Sequence, residues 1–591
     1  MLAFYPMAAT VKTHGRIAAE SYLGYCKTPM KKRRLLLFTT LTLSLAALIL
    51  AQVTGRPAAA ATERLELIVA ALMALEIVAG FQTAEYRKQY LIKNMAAIIF
   101  TALFASALIF QATTAGASAP HYLDTTIHVT RNIFLLYRLV EGIRSVEIIL
   151  TRISDRPAFS ILASFQIIIT LGTMLLMLPF ASSDGQSMPF IDAWFTATSA
   201  VCVTGLIIVD TATAFSLFGK IIILILIQIG GLGIMIISYI SLFLRGRKMG
   251  YTEKKRLSYA INDDDISGIT RTVKSIVYLT FSIEAVGALV LTAAFSMKTG
   301  FSTATVFSSV FHSISAFCNA GFSLFSNSLE SFTGNPIIIF TISILIIAGG
   351  LSFTVIFNLR DIALKRGSRK LSLNSKVVLS WTGILLLSGM YFFYAAEHRG
   401  VLVGYRTGSQ YLAAFFQSVT LRTAGFNSVS FASLGTGTIL IMCLFMFIGA
   451  ASGSTAGGIK INTAAVIAAY IRSIITGSPK VTIYRYQLSK TRILKAFIIS
   501  QYGIMVIFLS AALLAFTQQA ELRDIIFETV SAFGTVGLST GLTPRLNNIG
   551  KLVIIFLMFN GRLGPLTILS TLSVKSEKSS VQYPQGDIAI G

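Results

Sequence analysis

The stretch Thr198-Ser-Ala-Val-Cys-Val-Thr-Gly-Leu206 decides the fold, because it has three counterparts further along the chain. Each counterpart places a short loop with a central glycine after a half-length apolar segment and before a long one. The glycines stand at near-equal intervals of a little over one hundred residues. The four loops are Val203, Thr204, Gly205 and Leu206; Asn319, Ala320, Gly321 and Phe322; Thr423, Ala424, Gly425 and Phe426; and Thr535, Val536, Gly537 and Leu538. Four copies of one membrane hairpin predict a pore built by a single polypeptide.

The composition indicates a membrane protein. Of 591 residues, 54% are hydrophobic and only 13% are charged, and the mean hydropathy is +0.73. A soluble protein needs a more highly charged exterior. Many apolar runs approach or exceed the roughly 20 residues that cross a ~30 Å hydrocarbon core. A β-barrel would instead show short alternating segments, so we expect an all-α polytopic membrane protein.

The net charge of +24 is placed in loops. Basic clusters such as Arg245–Arg256 and Arg485–Arg492 follow the ends of apolar runs, as the positive-inside rule expects of cytoplasmic loops. Anionic lipid headgroups are therefore the expected counter-charge, and nucleic acid is not an expected partner. Lys31–Arg34 would hold the N-terminus in the cytoplasm. We expect a multi-pass protein of the inner (plasma) membrane with both termini cytoplasmic.

The chain divides near Pro157. Residues 1–157 hold an N-terminal cytoplasmic tail and four extra transmembrane helices, and residues 158–591 hold the pore region with a short cytoplasmic tail. The extra helices are expected at about Leu35–Gln52, Leu65–Gln82, Met95–Gln111 and His128–Leu150. Four arginines in and just after the fourth, Arg131, Arg138, Arg144 and Arg152, are seven, six and eight residues apart and interleaved with glutamates. This pattern favours a scaffold or dimer-supporting role over a voltage sensor, whose arginines recur at every third position.

The pore region is predicted to contain four parallel repeats, at approximately 158–250, 268–366, 374–480 and 490–575. Each has an outer helix, a short pore helix, a loop and an inner helix, which gives pseudo-fourfold symmetry rather than an inverted transporter repeat. The predicted outer helices are Phe159–Ala181, Lys274–Ser296, Lys376–Ala395 and Leu494–Phe516. The pore helices are Ile191–Ala200, Thr303–Phe317, Ser409–Val419 and Leu522–Phe533. The inner helices are Leu217–Leu244, Pro336–Asn358, Gly437–Ser473 and Ile549–Leu572.

The four loops have the chemistry of a cation filter. A half-helix that ends at mid-membrane points its carbonyl end, with roughly −0.5 charge, at whatever lies beyond. Beyond that end the backbone carbonyls can replace the water shell of an ion, in a geometry that glycine adopts without a Cβ penalty. Irregular backbone at membrane depth is tolerated where it lines a wet cavity.

The segment Gly449-Ala-Ala-Ser-Gly-Ser-Thr-Ala-Gly-Gly-Ile-Lys460 interrupts the third inner helix. Its small residues predict a loop that moves at low cost and can obstruct the path of the ion. Two alternatives are a close-packing helix face and a phosphate-binding loop, in which Ile459 would occupy the lysine position. The candidate gate residues are Gly449, Ser452, Gly453, Ser454, Thr455, Gly457, Gly458, Lys460 and Arg562.

A specific role can be predicted for each of four polar residues, two of which are gate candidates. Arg562 lies in an apolar run and would form an electrostatic barrier beside the gate, or would be a structural arginine bonded to helix-end carbonyls. Lys460 is expected at the cytoplasmic end of the gate, where it could also be a snorkelling lysine. Arg422 is expected to point behind the third loop and brace it. Asp210 would concentrate cations at the mouth or be a solvated carboxylate.

From about Phe159 onward the chain resembles the Trk/Ktr/HKT superfamily of K⁺ transporters. The resemblance rests on the four loops, on the gate segment and on Asn560-Gly-Arg-Leu-Gly-Pro565. It implies K⁺ selectivity, because relatives with serine in place of Gly205 tend towards Na⁺. It also implies a homodimer, with one pore per subunit, on a cytosolic ring of nucleotide-binding regulatory subunits. No cofactor is expected on this chain, and K⁺ is the transported ion.

Three function classes can be compared. The first is channel-like K⁺ uptake driven by the membrane potential. The second is a Na⁺- or H⁺-coupled K⁺ transporter, which needs ionisable groups near the site; the sequence offers only Asp210 and Glu528 near the glycines. The third is a membrane enzyme, which we do not expect, because five scattered histidines form no metal pair and no nucleophile motif is evident.

Overall fold

The computed structural model describes residues 157–233, 269–365 and 370–572, together with single helical positions between 70 and 106. Apart from those positions, the four predicted N-terminal helices lie outside the described residues, as does the loop Arg245–Arg256. The described chain falls into two compact units. Thr173–Ala193 and Ser216–Gly219 belong to one, and 157–172, 194–215, 220–365 and 370–572 belong to the other, which contains all four glycine loops.

The described residues are helical, with one small hairpin. The helices are α1 (Pro157–Leu176), α2 (Phe190–Val201), α3 (Thr211–Ala214), α4 (Leu217–Leu232), α5 (Ile269–Thr299), α6 (Thr303–Phe317), α7 (Pro336–Gly350), α8 (Phe353–Ala363), α9 (Leu373–Glu397), α10 (Thr407–Thr420), α11 (Thr436–Phe447), α12 (Ile461–Ile475), α13 (Lys490–Thr517), α14 (Leu522–Gly534), α15 (Asn548–Leu563) and α16 (Pro565–Leu572). Short 3₁₀ turns occur at Pro179–Ala181, Glu330–Phe332, Phe431–Ser433 and Thr543–Arg545. The strands β1 (Thr482–Ile483) and β2 (Tyr486–Gln487) pair antiparallel, a feature that the all-α prediction lacked.

Three of the described helices are long and apolar enough to cross a membrane, in α5, α9 and α13. A fourth span results if the bent pair α7 and α8 counts as one. The predicted pore helices correspond to α2, α6, α10 and α14, which have 12, 15, 14 and 13 residues. Helices of that length are too short to cross a ~30 Å core, as the sequence predicts for pore helices.

The inner helices differ most from their predictions. Pro336–Asn358 was predicted as one helix, but α7 and α8 meet at an angle of 105°. Ile549–Leu572 was also predicted as one helix, and it is broken at Gly564, whose φ is +81° before Pro565. The third inner segment is interrupted from Ile448 to Lys460, where the sequence predicted a loop. The first is described to Gly233, short of its predicted end at Leu244.

A buried apolar cluster lies behind the second and third loops. It includes Phe295, Phe317, Phe416 and Phe426, all of which are almost fully buried. Phe317 ends α6 and Phe426 directly follows Gly425, so the cluster joins the end of one short helix to the loop of the next repeat. Because closely packed side chains have little room to shift, this cluster holds the loops in position.

Candidate ion pathway

The four loops share one backbone shape. The residue two positions before each glycine has a positive φ, at Val203 (56°), Asn319 (59°), Thr423 (69°) and Thr535 (49°). The glycines follow with φ values of 89° at Gly205, 71° at Gly321, 79° at Gly425 and 90° at Gly537. A positive φ is unfavourable for branched residues such as valine and threonine, and it persists only where the surrounding structure imposes it.

The glycines meet in a closed ring. A Cβ on Gly205 would lie 2.4 Å from the carbonyl oxygen of Ala320. The corresponding distances are 2.8 Å from Gly321 to Ala424, 2.7 Å from Gly425 to Val536 and 2.0 Å from Gly537 to Thr204. Each glycine thus faces the residue before the next glycine, and the fourth loop returns to the first. Only glycine permits this approach of backbone to backbone.

Hydroxyl groups at the ends of the short helices hold the loops. Ser199 and Ser531 accept hydrogen bonds from the amides of Gly205 (3.1 Å) and Gly537 (3.2 Å). In the other two loops the hydroxyls donate to carbonyls, from Ser315 to Phe322 (2.8 Å) and from Thr420 to Phe426 (2.6 Å). Within the described residues, the buried hydroxyl oxygens of Thr204, Thr423 and Thr535 have no hydrogen-bond partner. Oxygens of this kind are ligands that suit a hard cation.

Three glycines in the inner helices support the same loops, and the sequence reasoning missed them. A Cβ on Gly230 would lie 2.1 Å from the carbonyl oxygen of Val201. Equivalent approaches join Gly349 to Phe317 (1.8 Å) and Gly561 to Phe533 (1.9 Å). Each of these carbonyls belongs to the residue four positions before a ring glycine. The available signal was a glycine inside each apolar run, which sequence alone cannot distinguish from ordinary helix packing.

The segment Ile448–Lys460 crosses to the inner helices of other repeats. Its Ala451 and Thr455 amides donate to the carbonyls of Gly350 (3.1 Å) and Gly349 (3.2 Å), at the end of α7. The Thr455 hydroxyl also donates to Gly349 (2.9 Å). The Gly458 amide donates to the carbonyl of Gly561 in α15 (3.2 Å). The segment is thereby fixed to the second and fourth inner helices.

Arg562 also connects the segment to the first repeat. Its guanidinium donates to the carbonyl of Thr455 in the gate segment and to that of Gly230 in α4. The side chain thus lies beside the Gly449–Lys460 segment and bonds to a carbonyl in the last turn of α4, and its role as an electrostatic barrier stays a prediction. Lys460 donates to Ala456 (2.5 Å) and Gly457 (3.3 Å), which closes the segment on itself.

A close contact places the segment against the ring itself. A Cβ on Gly457 would lie 2.1 Å from the hydroxyl oxygen of Thr535, and one on Gly458 would lie 3.2 Å from Gly534. Thr535 is the left-handed residue of the fourth loop. The segment therefore lies in direct contact with the base of the fourth loop, so a shift of one would displace the other.

The remaining predicted polar residues have local roles. Arg422 is buried and points to the outer helix α9, where it donates to the carbonyl of Thr382 (3.5 Å). Asp210 caps α3 by accepting a bond from the Ala212 amide (2.9 Å). Glu330, for which the sequence carried no expectation, lies in the 3₁₀ turn that follows the second loop, and partial burial raises its pKa.

Glu284 corrects the expectation that only Asp210 and Glu528 lie near the glycines. This buried carboxylate of α5 accepts bonds from the Gln228 amide (3.1 Å and 3.2 Å) and from the Cys318 thiol (3.8 Å). Cys318 directly precedes the second loop. Glu528 is also buried and accepts from the hydroxyls of Ser539 and of Thr543 (2.6 Å). Glu284 is far from the loop in sequence, so no local pattern could reveal it.

Comparison with known proteins identifies the family of the chain. Residues 145–583 match the family model "TrkH: Cation transport protein". The chain is 41% identical to the Ktr system potassium uptake protein B of Bacillus subtilis, over 72% of this chain and 95% of that protein. It is 38% identical to the potassium/sodium uptake protein NtpJ of Enterococcus hirae, over 74% and 97%. These names describe transport proteins, not enzymes.

A solved structure shares the fold. The potassium transporter TrkH of Vibrio parahaemolyticus superposes with a TM-score of 0.57 at 17% identity, covering 82% of this chain and 98% of that one. This similarity bears on the fold alone. The family match and the identities bear on the kind of protein. The chain belongs to the TrkH family of cation transport proteins, as a multi-pass membrane subunit of the Trk/Ktr potassium uptake type.

Proposed function

We propose that the chain forms a channel-like K⁺ uptake pore with a four-loop selectivity filter. The single observation that carries the proposal is the closed glycine ring, in which each loop supports the next. The filter residues are those of the four loops, and four pseudo-symmetric repeats surround the path. Four short helices direct their carbonyl ends at one place, which favours a cation. A negative interior draws K⁺ inward by roughly 2.3 kcal/mol per 100 mV.

The selectivity follows from backbone spacing. Any side chain at Gly205 must displace the carbonyl of Ala320, and the displacement passes to the next loop. Relatives of this chain are named for potassium and, in NtpJ, for potassium and sodium uptake. With glycine at all four ring positions, K⁺ is the favoured ion.

We place the gate at Gly449–Lys460, in a conformation that holds the pathway shut. The segment is bonded to the second and fourth inner helices, and Arg562 joins it to the first. The partly buried guanidinium would oppose a passing cation until the segment moves. Opening requires those bonds to break together. We assign that step to a cytosolic nucleotide-binding partner acting on a homodimer in the inner (plasma) membrane, with both termini cytoplasmic.

The test is the flux of ⁸⁶Rb⁺ and ²²Na⁺ into liposomes that contain the purified protein or Gly205→Ser. We expect Rb⁺ flux to exceed Na⁺ flux, and the variant to narrow the difference. Gly437→Ser is the control, because Gly437 is exposed and a Cβ there meets nothing within 4 Å. Sodium flux that exceeds rubidium flux in the unmodified protein would overturn the selectivity.

A shut gate could hide the filter in a flux measurement, so a binding measurement accompanies it. A ligand that binds only the folded state raises its stability. KCl should therefore raise the melting temperature of the detergent-purified protein more than NaCl at equal concentration. Gly205→Ser should remove this difference and Gly437→Ser should retain it.

A second candidate, a Na⁺- or H⁺-coupled K⁺ transporter, is favoured by one observation. Glu284 is a buried carboxylate beside the second loop, and an ionisable group at membrane depth is a common element of coupling sites. Coupling predicts that an imposed Na⁺ or pH gradient drives Rb⁺ uptake without a Rb⁺ gradient, and that Glu284→Gln abolishes it. Uptake that depends on the Rb⁺ gradient and voltage alone would favour the channel-like pore.

A further inference from the structure

A groove of about 770 Å³ lies between α9, α12 and the β1–β2 hairpin, away from the glycine ring. Residues 465, 468, 469, 472 and 473 of α12 line it, together with 476 directly after the helix. Their spacing of three and four defines a single face of the helix. The first three are alanines, which leave space along the groove, and Arg472 stands at its far end.

The groove is basic at that end. Arg472, Lys480 and Arg485 line it, and no acidic residue does. All three are exposed, and within the described chain none is in an ion pair with a carboxylate. Three cations in one groove repel one another unless an anion lies between them. The charge is therefore complementary to a phosphate-bearing ligand.

The opposite wall is apolar. Trp381 and Ile384 of α9 and Ile483 of β1 line it. α9 is one of the helices long enough to cross the membrane, so this wall continues toward the hydrocarbon region. Tryptophan and tyrosine with nearby lysine and arginine are typical of the membrane–water interface. A soluble phosphate would use only the basic end, whereas a phospholipid would use both.

The tip of the β1–β2 hairpin has an unusual backbone conformation. Ile483 pairs with Tyr486, which leaves Tyr484 and Arg485 as a two-residue turn with φ values of 48° and 69°. Turns with two positive φ values are normally made by Asn-Gly or Gly-Gly. Here a tyrosine and an arginine adopt them, and both line the groove. Strained backbone of this kind clusters at functional sites.

We propose that this groove binds an anionic phospholipid. The phosphate lies among Arg472, Lys480 and Arg485, and an acyl chain lies between Trp381 and the alanine face of α12. The site bears on the gate, because α12 begins at Ile461, directly after Lys460. A lipid that fixes α12 would restrain the end of the gate segment. Binding can be measured independently of any transport.

The first experiment is native mass spectrometry of the delipidated full-length protein titrated with phosphatidylglycerol or phosphatidylcholine. We expect selective retention of phosphatidylglycerol. The variant Arg472→Gln/Lys480→Gln/Arg485→Gln should weaken it on the order of a hundredfold, given the contribution of each basic group near an anionic headgroup. The matched control is Lys490→Gln/Arg492→Gln/Lys495→Gln, which removes three exposed charges nearby but outside the groove, and it should retain the lipid.

A second variant tests the groove without changing its charge. Ala468→Trp fills the alanine face and should also displace phosphatidylglycerol, with the melting temperature of each variant verifying its fold. Equal retention by the groove and control variants would overturn the proposal. Displacement of the lipid by millimolar inorganic phosphate would assign the site to a free phosphate instead. Unchanged lipid retention with lost binding of a cytosolic protein would assign it to a protein partner.

Discussion

Gly537 shows most clearly what the ring demands of a single residue. It combines a φ of 90° with the tightest approach of the four, 2.0 Å between a hypothetical Cβ and the Thr204 carbonyl oxygen. The conformation alone restricts the position to glycine only in part, because Thr535, two residues earlier, is also left-handed. The contact with the neighbouring loop makes the requirement strict. Backbone strain and steric contact can be separated here.

Gly537→Ala and Gly541→Ala form a matched pair for that purpose. Gly541 has a φ of 96°, but a Cβ there meets nothing within 4 Å. In both variants the left-handed backbone should lower the free energy of unfolding by roughly 1–2 kcal/mol. In Gly537→Ala, overpacking should lower it by about 1–3 kcal/mol more. Only Gly537→Ala should abolish stabilisation by K⁺ in a thermal melt. If the two variants lose the same stability and respond equally to K⁺, the contact of Gly537 with the Thr204 carbonyl is not required.

The glycines behind the loops allow a second prediction at this scale. In Gly349→Ala the added methyl would lie 1.8 Å from the Phe317 carbonyl oxygen, so the end of α6 must move. We expect lower thermal stability together with reduced preference for Rb⁺ over Na⁺. Gly383→Ala is the control, since a Cβ at this helical position meets nothing within 4 Å and alanine favours a helix. A normal ion preference in Gly349→Ala would contradict the supporting role.

At the scale of the elements, sequence was sufficient for the short helices and insufficient for the inner ones. The prediction Thr303–Phe317 coincides with α6, because Ser302 caps its start and the polar loop follows its end. The bend between α7 and α8 could not be predicted. At that bend the carbonyls of Gly349 and Gly350 accept bonds from Thr455 and Ala451, which lie about a hundred residues away. Contacts at that separation leave no local pattern of hydrophobicity.

The contacts of the gate segment predict the effect of one arginine. Arg562→Gln removes the charge and the link between Thr455 and Gly230, so the segment should move more easily. We expect faster basal ⁸⁶Rb⁺ flux without a partner protein. Arg545→Gln is the control, because Arg545 is exposed and, among the described residues, its hydrogen bond stays within its own loop, to the carbonyl of Gly541 (3.0 Å). If the basal ⁸⁶Rb⁺ flux of Arg562→Gln equals that of the unmodified protein, Arg562 does not form a barrier to the ion.

At the scale of the whole molecule, each chain contains a complete ring. The loops that form it come from one polypeptide, so a dimer of the proposed kind would have two independent filters rather than a shared one. Sequence was informative here because the repeat is periodic and each copy contains the same glycine. It was uninformative about the order of contact around the ring, which depends on tertiary packing.

Independent filters give a prediction for mixed dimers. When unmodified protein and Gly205→Ser are co-expressed in varying proportion, the Rb⁺/Na⁺ flux ratio should be the flux-weighted average of the two proteins. The measurement is liposome flux, with the share of each chain determined by mass spectrometry. A steep, non-additive dependence on the variant share would mean that two chains build one pathway.

A ring encoded in one gene can diverge at each corner. In an assembly of four identical subunits, any substitution appears four times around the axis. Here the left-handed position is occupied by valine, asparagine and two threonines, and a buried arginine accompanies the third loop alone. A single chain therefore has four positions that can be substituted separately, in place of one that is repeated. The ion's surroundings can be tuned asymmetrically, one quadrant at a time.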